Sequence, residues 1–225
     1  MWTADEPVDE SYAAPVLATL ADERRRLVAD LRDLTEEQWQ TPSLCAGWTV
    51  HHVLAHLTTA FALSPPRIAA QVLRSRSVPV AMDALARDVA RRDPQDLLDL
   101  LEAKATSTRR PPGLPLAAPL TDAVAHGTDI RWALSPDRAD TADPQRLRPV
   151  LRFLTNPLAA VAFVPRGRLA GLRLEATDLG WAHGTGAPVR GPALAVVMAA
   201  LGRPAAREQL HGDGVPLLLS RLSPR

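Results

Sequence analysis

Two short stretches hold most of the chain's capacity for chemistry. Three of its six histidines, His51, His52 and His56, fall in GWTVHHVLAHL, residues 47–57. His52 and His56 are four apart, so on a helix they project from the same side. That spacing suits a metal ion and equally a solvated helix face. The second stretch, LTDAVAHGTDIRWAL, residues 120–134, places Asp122, His126 and Asp129 in one stripe of a helix. Asp122 and His126, four apart, can direct a carboxylate oxygen and an imidazole nitrogen at one point. Two ligands from one helix and a third from a facing helix is a common way for a helical bundle to hold a metal. His56, on the shoulder of the earlier helix's apolar side, is the natural third. The set His56, Asp122, His126 suits zinc, nickel, iron or copper, with an open coordination position left for chemistry. Asp129 is placed to accept a hydrogen bond from a ligand histidine. The same Asp–His spacing also reads as an ordinary surface pairing. His51 and His52 read as solvated, Cys45 as a small loop or core filler, Trp39 and Trp48 as packing residues, and His183 and His211 as surface turn residues.

These side chains need helices to position them. Val16, Leu20, Leu27, Leu31 and Leu34 recur at helical spacing, with ADERRR turned to water between them. Thr35 to Gln38 fits a capping box for a short helix to Trp39. TPSLCAGW is a loop, and Thr49 caps a second long helix with Val50, Val53, Leu54 and Leu57 on its inner side. Pro65-Pro66 bends or ends that helix. A third helix covers about Val80 to Ala105, with a break at Asp93-Pro94. RRPPGLPLAAP connects to a fourth, from near Pro119 to Leu134. Four amphipathic helices read as a bundle.

After about residue 140 the pattern changes. Pro149 to Ala162 reads as one more helix. Leu172, Leu174 and Ala176 alternate with polar residues, which is strand periodicity. DLGWAHGTGAP reads as turn, Pro188 to Arg190 as a return strand, and Gly191-Pro192 opens an apolar helix closed at Gly202. HGDG, residues 211–214, is a tight turn. The expected architecture is α+β and mostly helical: a four-helix bundle over residues 1–142 and a small α/β domain over 143–225.

Composition narrows the function. Acidic and basic residues nearly cancel, 25 against 26, so no basic field exists for a nucleic acid. Lys104 is the only lysine, and with so many arginines no single one stands out. The lone Cys45 precludes a disulfide within the chain and a cysteine-rich zinc site. The start, MWTADEPVDES, lacks the apolar segment of a signal peptide, and no stretch approaches the ~20 apolar residues of a membrane span. The expectation is a cytoplasmic protein with neither nucleic acid nor membrane as partner.

LTEEQWQTPSLCAGWTVHHVLAHLT resembles the N-terminal signature of the mycothiol-dependent maleylpyruvate isomerase family. DAVAHGTDIRWAL resembles that family's second signature, and GLRLEATDLGWAHGTGAPVRGPALAVVMAALGR its C-terminal domain. The resemblance implies a DinB-like bundle followed by a sterol-carrier-like domain. It implies a divalent metal, usually zinc, held by His56, Asp122 and His126, with aspartate where glutamate is common. His51-His52 stands where an Arg-Asp pair is common, and Pro65 to Pro119 matches no motif. It also implies mycothiol as a thiol cofactor and a small electrophilic substrate. In an isomerase the thiolate adds to a cis double bond, which rotates and re-forms trans as the thiol leaves; in an S-transferase the thiol stays attached. Arg203 matches an arginine of the C-terminal signature, and its fork suits a substrate carboxylate. Cys45 precedes the second helix, about three turns from His56, so the nucleophilic sulfur is expected from outside the chain. Two other functions fit the residues: a hydrolase using metal-bound water, and a binding module without chemistry.

Overall fold

A computed structural model describes residues 10–135 and 143–222. They form two compact units, one within Met1–Arg138 and one within Ala139–Arg225. The domain boundary expected between residues 142 and 143 abuts segment 136–142, which lies outside the described residues. The mostly helical α+β class holds. Among the described residues no helix is long and apolar enough to cross a membrane.

The first unit contains α1 (Glu10–Leu31), α2 (Glu36–Trp39), α3 (Val50–Ala62), α4 (Pro65–Ser75), α5 (Val78–Val89), α6 (Pro94–Ala103) and α7 (Ala117–Leu134). Helix α1 packs on α6 and α7, and α3 packs on α5, α6 and α7. Their shared core includes Leu27, Leu31, Leu54, Leu98, Leu101 and Ile130, all but excluded from solvent. Burying one such leucine contributes about 2 kcal/mol, so the contact faces dominate helix placement.

Local signals fix where the helices begin. Thr49 caps α3 through a reciprocal box: its hydroxyl accepts from the His52 backbone N–H, and His52 Nδ1 reaches back to Thr49. Asp93 accepts from Gln95 N at 2.7 Å, with Pro94 in the first turn of α6. This cap splits the long third helix of the sequence reading into α5 and α6. Pro65-Pro66 does more than end α3: the prolines occupy the first turn of a further helix, α4, which periodicity did not reveal.

The ADERRR stretch departs from its expected solvent exposure. Glu23 and Arg24 are buried. Glu23 Oε1 accepts from Arg131 Nη1 at 2.7 Å, while Asp30 Oδ2 accepts from Arg131 Nε at 2.7 Å, tying α1 to α7. Arg24 Nη1 donates to the carbonyls of Lys104, Ala105 and Ser107 beyond the end of α6. Buried charge persists here because each group has charged or carbonyl partners.

The second unit has a 3-10 turn at Pro144–Leu147, α8 (Arg148–Leu154), another 3-10 turn at Pro157–Val161, β1 (Leu172–Ala176), β2 (Trp181–His183), β3 (Ala187–Gly191), α9 (Ala193–Ala200) and α10 (Val215–Ser220). The single helix expected over Pro149 to Ala162 is interrupted at Asn156-Pro157, where Asn156 caps the 3-10 turn. The sheet order is β2-β1-β3. β3 pairs with β1 in parallel and so is not the return strand expected of it; β2, inside the segment read as turn, is the antiparallel one. From β2 the chain crosses the start of β1 to reach the far edge. A Cβ at Gly186 would lie 2.2 Å from Gly171 O. Only glycine permits that backbone approach.

Candidate metal site

Helices α3 and α7 bring the three expected ligand positions together. His56 Nε2 lies 3.7 Å from Asp122 Oδ2, and His126 Nε2 lies 3.6 Å from Asp122 Oδ1. The two imidazoles meet edge to face, centroids 4.8 Å apart. These nitrogen–oxygen separations exceed a normal hydrogen bond. They are close to the ~3.4 Å expected between two ligands each ~2.1 Å from a tetrahedral zinc. The donor set therefore fits a divalent ion. Aspartate is long enough to lie between both rings, with one oxygen toward each. Its side chain is 36% exposed while the histidines are 15% and 13% exposed, so the site faces solvent on the carboxylate side.

Behind His126 the arrangement is buried. Asp129, 0% exposed, accepts from His126 Nδ1 at 3.1 Å. An Nδ1–H held there leaves the Nε2 lone pair toward Asp122. His56 has no such support: its Nδ1 is buried and makes no hydrogen bond.

The loop 43–49 supplies what sequence reasoning missed. Cys45 Sγ donates to Asp129 Oδ2 at 3.0 Å and sits 3.4 Å from His126 Nδ1. Its distance from His56 along the chain gave no hint of this, because the contact is with α7, more than 80 residues later. The loop is fastened at several points. Ser43 Oγ donates to Trp48 O, and Leu44 N approaches Asp129 O at 3.5 Å. Trp48 Nε1 donates to Asp83 Oδ1 at 2.7 Å, and Arg87 bonds both Asp83 oxygens and Gly47 O. The Trp48 indole bond, then the Arg87 contacts, hold the Asp83 carboxyl below its usual range. The indole thus lies against His56, centroids 5.1 Å apart, and near His126 at 6.3 Å. Trp48 is a packing residue, as read from the sequence, but what it packs against is the candidate ligand set.

The other histidines separate from the site. His52 completes the capping box that Thr49 opens at the start of α3, and His51 stands edge-on to buried Trp39 with Nε2 buried. Neither is the solvated residue expected of it; burial pushes both imidazoles below the ordinary histidine range. His183 and His211 are exposed. Arg203 belongs to the second unit, where it follows Gly202 beyond α9 and donates from Nη1 to Leu201 O at 3.1 Å.

Among the described residues, two groups of side chains have metal-ligating atoms close enough to share an ion: His56, Asp122, His126 and Cys45, His126, Asp129. Residues 20–131 match the family described as Mycothiol maleylpyruvate isomerase N-terminal domain. The crystal structure of the mycothiol-dependent maleylpyruvate isomerase is similar over 94% of this chain and 95% of that one, at 16% identity and a TM-score of 0.57. A histidine-to-alanine mutant of a mycothiol-dependent maleylpyruvate isomerase is similar over the same shares at 15% identity and a TM-score of 0.55. At such identity the likeness establishes the fold alone. No curated protein sequence matches the chain. By the domain it carries over residues 20–131, the chain belongs to the mycothiol-dependent maleylpyruvate isomerase family.

Proposed function

We propose that the protein is a metal-dependent enzyme that uses a low-molecular-weight thiol, mycothiol, for cis–trans isomerisation or S-transfer on a small electrophilic substrate. The observation that carries this reading is the placing of Asp122 between two imidazole Nε2 atoms, with Asp129 bracing one ring from behind. A divalent ion bound there, zinc by preference for this donor set, supplies the positive charge that favours a thiolate near neutral pH. His56, Asp122 and His126 hold it. Asp129 keeps His126 in the tautomer that presents Nε2. Trp48 shields the flank of both rings from water, and the half-exposed Asp122 side leaves room for thiol and substrate. Arg203 is the proposed partner for a substrate carboxylate.

Purified protein should contain about one divalent ion per chain, lost in His126→Ala. With cobalt as the ion, mycothiol should produce a sulfur-to-cobalt charge-transfer band, and maleylpyruvate is the first substrate to assay. Metal retained equally by parent and His126→Ala would defeat the ligand set. Metal without any response to thiol would favour a hydrolase.

A further inference from the structure

Cys45, His126 and Asp129 form a closed triangle of sulfur, nitrogen and oxygen. The sides are 3.0 Å from Sγ to Oδ2, 3.4 Å from Sγ to Nδ1, and 3.1 Å from Nδ1 to Oδ2. We propose that this triangle is a second cation site, selective for thiophilic divalent ions such as cadmium, and that its occupancy excludes an ion from the His56, Asp122, His126 set.

The geometry suits a divalent ion. Zinc-length bonds of about 2.3 Å to sulfur and about 2.0–2.2 Å to nitrogen and oxygen place an ion about an ångström off the plane of the three donors, and a larger ion such as cadmium rides farther out on the same three atoms. The chemistry sets the selectivity. The first set offers two nitrogens and a carboxylate; the triangle adds a thiolate, which favours softer ions. Asp129 is fully buried, and a carboxylate out of water gains strongly from a cation beside it. On binding, the Cys45 proton leaves to solvent and the sulfur keeps its electron pair for the ion. No oxidant or reductant is involved.

Exclusion follows from the one imidazole common to both sets. A neutral ring has one lone pair and one N–H. An ion on the outer set takes Nε2 and needs the proton on Nδ1, facing Asp129. An ion in the triangle takes Nδ1 and Asp129 together, and the ring proton moves to Nε2, facing Asp122. The exclusion half rests on the function proposed above; the triangle stands without it.

The test uses the full chain, freed of metal and titrated with cadmium while sulfur-to-cadmium charge-transfer absorption is followed. One equivalent should develop the band in the parent, in His56→Ala and in Asp122→Asn. Cys45→Ser and His126→Ala should lose it while keeping the parent's far-ultraviolet circular dichroism. Cadmium should also slow alkylation of Cys45 by iodoacetamide in the parent and in His56→Ala, a readout that leaves the cysteine intact. In cobalt-loaded parent, one equivalent of cadmium should expel the cobalt. No band at one equivalent, or a band that persists in His126→Ala, overturns the site. A band lost in both His56→Ala and Asp122→Asn makes Cys45 a ligand of a single composite centre and also overturns it. Zinc affinity unchanged in His56→Ala, with the cadmium band intact, defeats the outer set and leaves the triangle standing.

Discussion

At the scale of single residues, Asp129 and Asp122 differ in kind though both are aspartates of α7. Asp129 is buried and touches His126 Nδ1, the nitrogen facing away from Asp122. Asp129→Asn keeps the shape but lets an amide N–H face that nitrogen, which disfavours the tautomer presenting Nε2. Zinc affinity should fall about 10- to 100-fold, measured by competition with a chelating dye. Asp122→Asn removes the negative charge of the proposed ligand and should weaken zinc more than Asp122→Glu, which keeps the charge. Equal affinity in Asp122→Asn and the parent would remove the carboxylate from the ligand set. These residues and their spacing were legible in the sequence because i,i+4 geometry on a helix is local. Cys45 was not, because no periodicity relates a loop to a helix more than 80 residues later.

At the scale of elements, α7 is placed by α1 and the Cys45–Trp48 loop by α5. The first connection is Arg131, largely buried between Glu23 and Asp30. Gly127, one turn earlier on α7, leaves the space for it: a Cβ there would lie 3.2 Å from both Arg131 Nη1 and Glu23 Oε1. Arg131→Ala leaves Glu23 and Asp30, two turns apart on α1, without this shared cation and should cost about 3–5 kcal/mol in urea unfolding. A loss under 1 kcal/mol would show that water replaces the pair. The second connection is the Asp83–Arg87 pair. Asp83→Ala releases the Trp48 indole and the Gly47 carbonyl's partner together. It should weaken metal binding although Asp83 touches no ligand; unchanged binding would mean the loop holds its place through Ser43 and Leu44 alone. Neither connection could be read from the sequence. The charged run in α1 matched a solvated face, and its burial depends on α7 and on the segment that follows α6. Helix α4 was hidden for another reason, since Pro65-Pro66 signals a stop and a start alike. Strand β2 is only three residues long, inside a segment whose glycines dominate the pattern.

At the scale of the whole molecule, acid should act on stability through buried histidines of the first of the two units. The first holds His51 and His52, both with folded pKa values lowered by burial. In the unfolded chain they bind protons near pH 6.5, whereas in the folded chain they resist doing so. Their contribution is therefore complete above about pH 6.5 and declines as pH falls through the depressed folded values. The urea midpoint of metal-free protein should drop on acidification from about pH 7.5 to about pH 5.5, and His51→Leu should make the drop shallower. An equal drop in that variant would shift the effect to other groups.

The seating of Trp48 against His56 has an optical consequence. Indole emission is quenched by a nearby protonated imidazole and altered by an ion that withdraws electron density from the ring. Trp48 touches one candidate ligand histidine and nears the other, so its emission should change when the outer set fills. The change should remain when Trp39 and Trp132 are replaced by phenylalanine and vanish in Trp48→Phe. The chain thus carries an internal lamp beside its candidate metal site, through which binding can be timed in a stopped-flow instrument without any added dye.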